Sequence, residues 1–303
     1  MKEGYDARGG LFAISMLDTI GNTPLIRIGK IYAKLETTNP TGSIKDRMAW
    51  YLIKKAEGRG ELRKGDTIIE VTSGNTGISL AMVSAIRGYR FTAVMPASVN
   101  SEKRKMMEAF GAKIILTHAE KEMAGAVEVY EEMVKHTRNV WLPRQFENPD
   151  NINAHRDGIG MEIIRQMDGN VDAFVAGVGT GGTLLGVALA LKKINPKVKI
   201  IAVEPMESAV LSGGNPGRHK ISGIGEGFVP QIVKDNRGLI DEVITVKSKD
   251  AIAMSRELAR KYGILVGISS GANVLAAGKM VKRCENVVTV LPDRGERYLS
   301  TES

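Results

Sequence analysis

Cysteine is almost absent from this chain, with one residue, Cys284, in 303. A single thiol excludes an internal disulfide framework. Its place near the end of an apolar-periodic stretch reads as a buried or half-buried structural thiol. Long hydrophobic runs are missing too. The longest, such as VDAFVAGV from residue 171, are strand-length, far short of the ~18 residues that span a bilayer, so no membrane association is expected. The four histidines, His118, His136, His155 and His219, stand too far apart for zinc-type ligand spacing, and no metal is expected. Aromatics make up only 5%, with no stacking motif and no arginine-rich run. The 42 Lys and Arg against 34 Asp and Glu give a net charge of +8, but the basic residues fall in short clusters interleaved with acids (KK at 54, EKRK at 102, LKK at 191). That distribution argues against nucleic acid and suits small anionic ligands. The opening MKEGYDARGG is polar and contains acids, unlike the basic-then-apolar order of a signal peptide. A cytoplasmic location is expected.

What is present is an ordinary globular composition, 43% hydrophobic and 25% charged, in a chain longer than the ~100–200 residues of one domain. Two domains are the starting expectation. Short β-branched runs alternate with amphipathic stretches from residue 67 onward. TIIEV, RFTAVMP and AKIILT are followed by helices predicted near 76–88, 100–110 and 120–137. After residue 150 come VDAFVAG, KIIAVE, DEVITV, ILVGI and NVVTVLP, with helices near 183–193, 248–261 and 271–283. This alternation predicts an α/β protein with parallel sheets covered on both faces. WLPRQFENPDN, residues 141–151, is the expected crossover between two domains. Ligands should gather beyond the carboxyl ends of strands, in the loops after TIIEV, VDAFVAG and ILVGI.

Those loops are rich in glycine and hydroxyl groups. GVGTGGT places Gly177, Gly179 and Gly182 in a G-x-G-x-x-G pattern after a strand, with Glu204 closing the next strand, which on paper fits a dinucleotide-binding dehydrogenase. The narrower reading is a cradle for one phosphate, built from the N–H groups of Gly179 to Thr183 and the hydroxyls of Thr180 and Thr183 at a helix start. A tight turn alone is the third alternative. VTSGNTG crowds Thr72, Ser73, Asn75 and Thr76 beside two glycines, more donors than a helix cap requires and suited to a carboxylate. GISSGAN repeats the arrangement with Ser269 and Ser270, residue types that often serve as N-caps. NPTGSIKDRMA poses a different question. Its turn formers and Ser43, a candidate N-cap, put Lys45 in a first helical turn, where the macrodipole disfavours a cation by a few tenths of a kcal/mol.

Taken together, NPTGSIKDR, TSGNTG, RQFENP, GVGTGGT, ESAVLSGGNPGRHKISGIGEGF, GISSGA and LPDRGERYLST occur in an order that resembles the cysteine synthases (O-acetylserine sulfhydrylases) of the fold type II pyridoxal phosphate enzymes, from about residue 15 onward. The resemblance implies a tryptophan synthase β-like fold of two α/β domains, each a mostly parallel twisted sheet covered by helices. The expected division is a smaller domain over 36–147, carrying Lys45 and TSGNTG, and a larger one over 1–35 and 148–303, carrying the phosphate loop. It also implies that Lys45 forms the Schiff base with pyridoxal 5'-phosphate, and that Gly179, Thr180, Gly181, Gly182 and Thr183 hold its phosphate. Asn75 would bond the ring's phenolic oxygen and Ser269 would face the pyridine nitrogen. Thr72, Ser73, Thr76 and Gln145 would clamp the substrate carboxylate, under a loop containing Gly223.

The implied reaction is ping-pong: Lys45 removes the Cα proton of O-acetyl-L-serine, acetate leaves Cβ, and sulfide adds to give L-cysteine. A homodimer and a complex with serine acetyltransferase are implied as partners. Arg218 departs from the family pattern and raises O-phosphoserine as an alternative donor. Cystathionine β-synthase is a further alternative, although no appended regulatory module of the sort found in many of them is expected. Serine and threonine dehydratases resemble the chain least at TSGNTG. The dehydrogenase reading leaves Lys45, TSGNTG and GISSG unexplained.

Overall fold

A computed structural model describes residues 4–5, 11–12, 14–72 and 74–299. A short antiparallel hairpin pairs β1 (Gly4–Tyr5) with β2 (Leu11–Phe12). Two larger sheets follow. The six-stranded sheet contains β3 (Leu25–Ile28), β4 (Ile31–Leu35), β9 (Ala173–Gly177), β10 (Lys199–Pro205), β11 (Glu242–Val246) and β12 (Val287–Leu291) in the order β11-β10-β9-β12-β4-β3. Only β3 runs antiparallel to its neighbour. The four-stranded sheet, β7-β6-β5-β8, is entirely parallel and is made of β5 (Thr67–Val71), β6 (Arg90–Pro96), β7 (Lys113–Thr117) and β8 (Val140–Trp141). Sheet membership thus changes between residues 35 and 67 and again between 141 and 173.

Period-2 alternation splits the apolar side chains of each strand between two helical layers. On β5, Ile68 packs with Met48, Leu52 and Ile53 of α1 (Lys45–Arg59) and Ile78 and Leu80 of α2 (Asn75–Arg87), while Ile69 and Val71 face Ala126 of α4 (Glu122–His136). α3 (Ser101–Ala109) adds Met107 to the first layer. On β9, Phe174 and Ala176 meet Leu184, Leu185 and Val187 of α7 (Gly182–Ile194), and Val175 meets the side holding α9 (Ser248–Tyr262) and α10 (Ile268–Met280). α5 (Asp150–His155), α6 (Met161–Gln166) and the short α8 (Gln231–Asp235) complete the helices. Among the described residues, no helix is long and apolar enough to cross a membrane.

Three local expectations need correction. ILVGI is not a strand: Val266 makes only an isolated bridge to Arg294, and the helix begins at Ile268, ahead of the expected 271. A short apolar run bounded by glycines is ambiguous between strand and buried helix start, and here the helix wins. Ser269 and Ser270 therefore lie inside the first turn of α10 and are not its cap, which is Gly267. At α1 the capping position is Ile44, although Ser43 Oγ still accepts the Lys45 N–H at 3.2 Å. Cys284 falls beyond the end of α10, half-buried.

Candidate active site

The carboxyl ends of the two sheets face one pocket. Its lining includes Lys45, Thr72, Asn75, Thr76, Gln145, Gly179, Thr180, Gly181, Thr183, Gly223 and Ser269. Gly182, the remaining glycine of the expected phosphate cradle, lies behind this surface with its Cα against the Asn151 side chain. Ser73 lies outside the described residues. Arg218 is exposed and is not part of the lining.

Lys45 reaches this junction because the segment before it is tied to the other sheet. The Ile44 N–H donates to Pro292 O at 2.8 Å, and the Arg294 N–H donates to Gly42 O at 3.1 Å. Gly42 has φ +76, and a Cβ there would lie 2.7 Å from the Arg294 side chain, so the turn requires glycine. The Lys45 side chain is half-buried and lines the pocket. Removal from water lowers its pKa below the usual lysine range, with Glu226 and Asp293 pulling it back. A first-turn position adds to the same effect. The amine is thereby shifted toward its neutral, nucleophilic form.

Around Lys45 the loops are ordered by their own hydroxyls. Thr72 Oγ1 accepts the N–H groups of Gly77 at 3.1 Å and Gly74 at 3.4 Å, shaping the turn into α2. Thr76 Oγ1 donates to Gln145 Oε1 at 2.7 Å, which fixes the carboxamide and leaves its NH2 group as the available donor. Asn75 Nδ2 donates to Asp293 Oδ2 at 2.6 Å and Asn75 Oδ1 accepts from Arg297, leaving one amide proton for a ligand. Tyr298 OH also donates to Asp293 Oδ2, and its burial beside that carboxylate raises its pKa well above the phenol range.

The start of α7 is a prepared anion site. Gly181 has φ +93, and the backbone N–H groups of Gly179, Thr180, Gly181 and Thr183 have no partner among the described residues. Unpaired helix-start donors of this kind call for an anion. A Cβ on Gly179 would come 2.3 Å from Gly223 O, so the two loops touch only because residue 179 is glycine. Beneath the cradle Asn151 Nδ2 donates to Thr180 Oγ1 at 2.9 Å, and the neutral His155, its pKa pushed down by burial, sits 3.4 Å from Thr183 Oγ1. Glu204 is not available to a ribose: its carboxylate accepts the Leu211 N–H at 2.8 Å and the Ser212 N–H at 3.0 Å and does not line the pocket. The dinucleotide reading thus loses its acid.

Sequence reading did not single out Glu226, Asp293 or Lys103, which also line the pocket. Asp293 stood in the quoted segment LPDRGERYLST, but nothing local marks it as facing Lys45. Lys103 carries the signal that drew attention to Lys45, a lysine in the first turn of a helix, α3.

An α/β architecture whose strand ends enclose a lysine of lowered pKa and an open helix start has the makings of a pyridoxal phosphate site. Residues 16–293 match the family described as pyridoxal-phosphate dependent enzyme. The chain is 50% identical over 291 residues to cysteine synthase B of Campylobacter jejuni, covering 94% of this chain and 96% of that one. It is 46% identical over 294 residues to cysteine synthase of Staphylococcus aureus, covering 93% and 94%. The crystal structure of cysteine synthase (OASS) from Entamoeba histolytica superposes with a TM-score of 0.92 at 42% identity, covering 96% of this chain and 90% of that one. This chain belongs to the pyridoxal-phosphate dependent enzymes, among the cysteine synthases, and it depends on pyridoxal phosphate.

Proposed function

We propose that this chain forms L-cysteine from O-acetyl-L-serine and sulfide, releasing acetate, with Lys45 as the catalytic residue. The observation that carries the reading is one pocket in which a lysine with a depressed pKa faces an unpartnered helix-start anion site. The bound cofactor supplies an electron sink for the charge left when the Cα proton departs. The N–H groups and hydroxyls from Gly179 to Thr183 hold the phosphate, with Gly182 admitting Asn151 beneath them. Asn75 offers its remaining amide proton to the ring oxygen. Ser269 would offer a hydroxyl to the ring nitrogen, which would not hold that nitrogen protonated as a carboxylate would. Thr72, Ser73, Thr76 and the Gln145 amide bind the substrate carboxylate, under the Gly223 loop. Lys45 then moves the Cα proton off and back.

Sheet membership supports two bodies, 36–147 on one side and 1–35 with 148–303 on the other. The family likeness supports a homodimer, a complex with serine acetyltransferase and a cytoplasmic location, and sizing of the pure protein with and without that partner tests the first two. The exposed position of Arg218 outside the pocket favours the acetylated donor over O-phosphoserine. Product assays with sulfide and each donor test the reaction. L-cysteine and acetate in equal amounts from O-acetylserine are expected. Pyruvate and ammonia released from unmodified serine, with no dependence on sulfide, would identify a dehydratase instead.

A further inference from the structure

β8 pairs with β5 over two residues only, Val140 with Thr67 and Trp141 with Ile68. Pro143 follows, and without an N–H it cannot extend the ladder. On β5 the Thr67 N–H donates toward this side, to Asn139 O at 2.9 Å, so by alternation the Val71 N–H points the same way and meets no strand. The Glu70 side chain stands in for the missing strand: its Oε1 accepts the Val71 N–H at 3.1 Å. The carboxyl is 5% exposed, and its Oε2 is buried without a hydrogen bond of ordinary geometry among the described residues. Such burial is costly for a carboxyl.

What the carboxyl meets is the segment after β8. The backbone N–H groups of Gln145 and Arg144 face it and favour its charged form, and they have no backbone acceptor among the described residues. Tyr130 of α4 and Glu147 are the titratable groups that interact with it. Arg144 has φ +50, in the left-handed region that non-glycine residues rarely occupy. Strain of that kind persists only where the surroundings over-determine the backbone. They do so here: Arg144 O accepts the Glu147 and Asn148 N–H groups, each at 2.9 Å, and Asn148 Nδ2 donates to Pro143 O at 3.1 Å. Gln145 comes next, buried, with Oε1 held by Thr76. Its backbone carbonyl accepts Asn151 Nδ2 at 2.8 Å, the same nitrogen that reaches Thr180 Oγ1. Asn151 thus holds Gln145 from its carbonyl side, and Glu70 is the group that faces its N–H.

We propose that Glu70 is a positioning residue: its carboxyl supports the backbone at Arg144 and Gln145 and so fixes the Gln145 carboxamide that receives the carboxylate of O-acetylserine. The inference rests on the reading of Gln145 as part of the carboxylate clamp and extends it to the group behind. Glu70 does not line the pocket, so it acts through Gln145 alone and touches no reacting atom. Its effect belongs to the half-reaction that binds the amino acid. Sulfide, which has no carboxylate, is indifferent to it.

The test is a double-mutant cycle on the holoenzyme with Glu70→Asp, which withdraws the carboxyl by one methylene, with Gln145→Ala, and with both together. Glu70→Asp is expected to lower kcat/KM for O-acetylserine about tenfold through KM, with kcat within about twofold and kcat/KM for sulfide unchanged. Glu70→Gln, which keeps the length and one acceptor oxygen, is expected to stay within about threefold of the parent. In the Gln145→Ala background Glu70→Asp is expected to cost nothing further. An unchanged kcat/KM for O-acetylserine in Glu70→Asp, or the same loss with and without the Gln145 side chain, overturns the positioning role while cysteine formation stands. A Gln145→Ala variant as active as the parent would overturn the clamp and its support together. Titration with L-serine, followed in the visible cofactor band, makes the comparison without turnover: about tenfold weaker half-saturation is expected in Glu70→Asp, and equal half-saturation overturns the proposal.

Discussion

Lys45 and Glu70 show two opposite uses of burial at the scale of single residues. Lys45 is driven toward its neutral amine by withdrawal from water, and borohydride reduction of the holoenzyme is expected to fix the cofactor on it. Peptide mapping that found the label on another lysine would remove its assigned role. Lys45→Ala deletes a poorly solvated amine, so the variant is expected to fold with stability within about 1 kcal/mol of the parent and to lose turnover. Glu70, buried on β5, is pushed up to about 8 by desolvation, opposed by backbone N–H groups of Gln145, Val71 and Arg144. Because its folded pKa lies above the unfolded value of 4.5, its contribution to stability is fully present below pH 4.5 and is lost as pH rises through about 8. Thermal melts are expected to show Tm falling from pH 5 to 8, by a few kcal/mol of stability at most. Glu70→Gln is expected to flatten that profile, and a variant with the same slope as the parent would assign the pH dependence elsewhere.

At the scale of elements, the pocket is built from helix starts. α2, α7 and α10 all begin beside the pocket without a side-chain cap at the N-cap position, but at α2 the Gly77 N–H is taken by Thr72 Oγ1, and it is at α7 that the Gly181 and Thr183 N–H groups stay open among the described residues. Glycine is what lets the loop into α7 touch the loop at Gly223. A Gly179→Ala side chain would press on the Gly223 carbonyl, so resolved protein titrated with pyridoxal phosphate is expected to bind at least tenfold more weakly than the parent. Equal affinity would mean that the two loops do not need their contact. Most of this was legible in the sequence, because strand, glycine turn and amphipathic helix are local signals read within a dozen residues. ILVGI failed because a five-residue apolar run does not distinguish a strand from a buried helix start. Glu226, Asp293 and Lys103 were missed because their meaning comes from partners far along the chain, as with Asn75 and Asp293, and no local period records such pairs.

Across the whole molecule, the two sheets are held by an ionic cluster that composition alone could not reveal. Arg47, two residues past Lys45, donates from Nε to Glu36 at 2.7 Å and from Nη1 to Glu162 at 2.6 Å, while the fully buried Lys34 pairs with Glu162 at 2.6 Å. Two cations and two anions balance, joining α1 to the segment after β4 and to α6. Arg47→Met would leave two buried carboxylates against one ammonium, and urea unfolding is expected to show a loss of about 3–5 kcal/mol. A loss below 1 kcal/mol would show that water relieves the cluster. The account as a whole is tested most directly by the visible absorbance of the holoenzyme during a two-step addition. With O-acetylserine alone, the cofactor band is expected to shift as acetate is released in an amount equal to the enzyme sites, and sulfide is then expected to restore the original band while one L-cysteine appears per site. No shift with O-acetylserine, or a shift that sulfide does not reverse, would contradict the assignment of this pocket to cysteine formation.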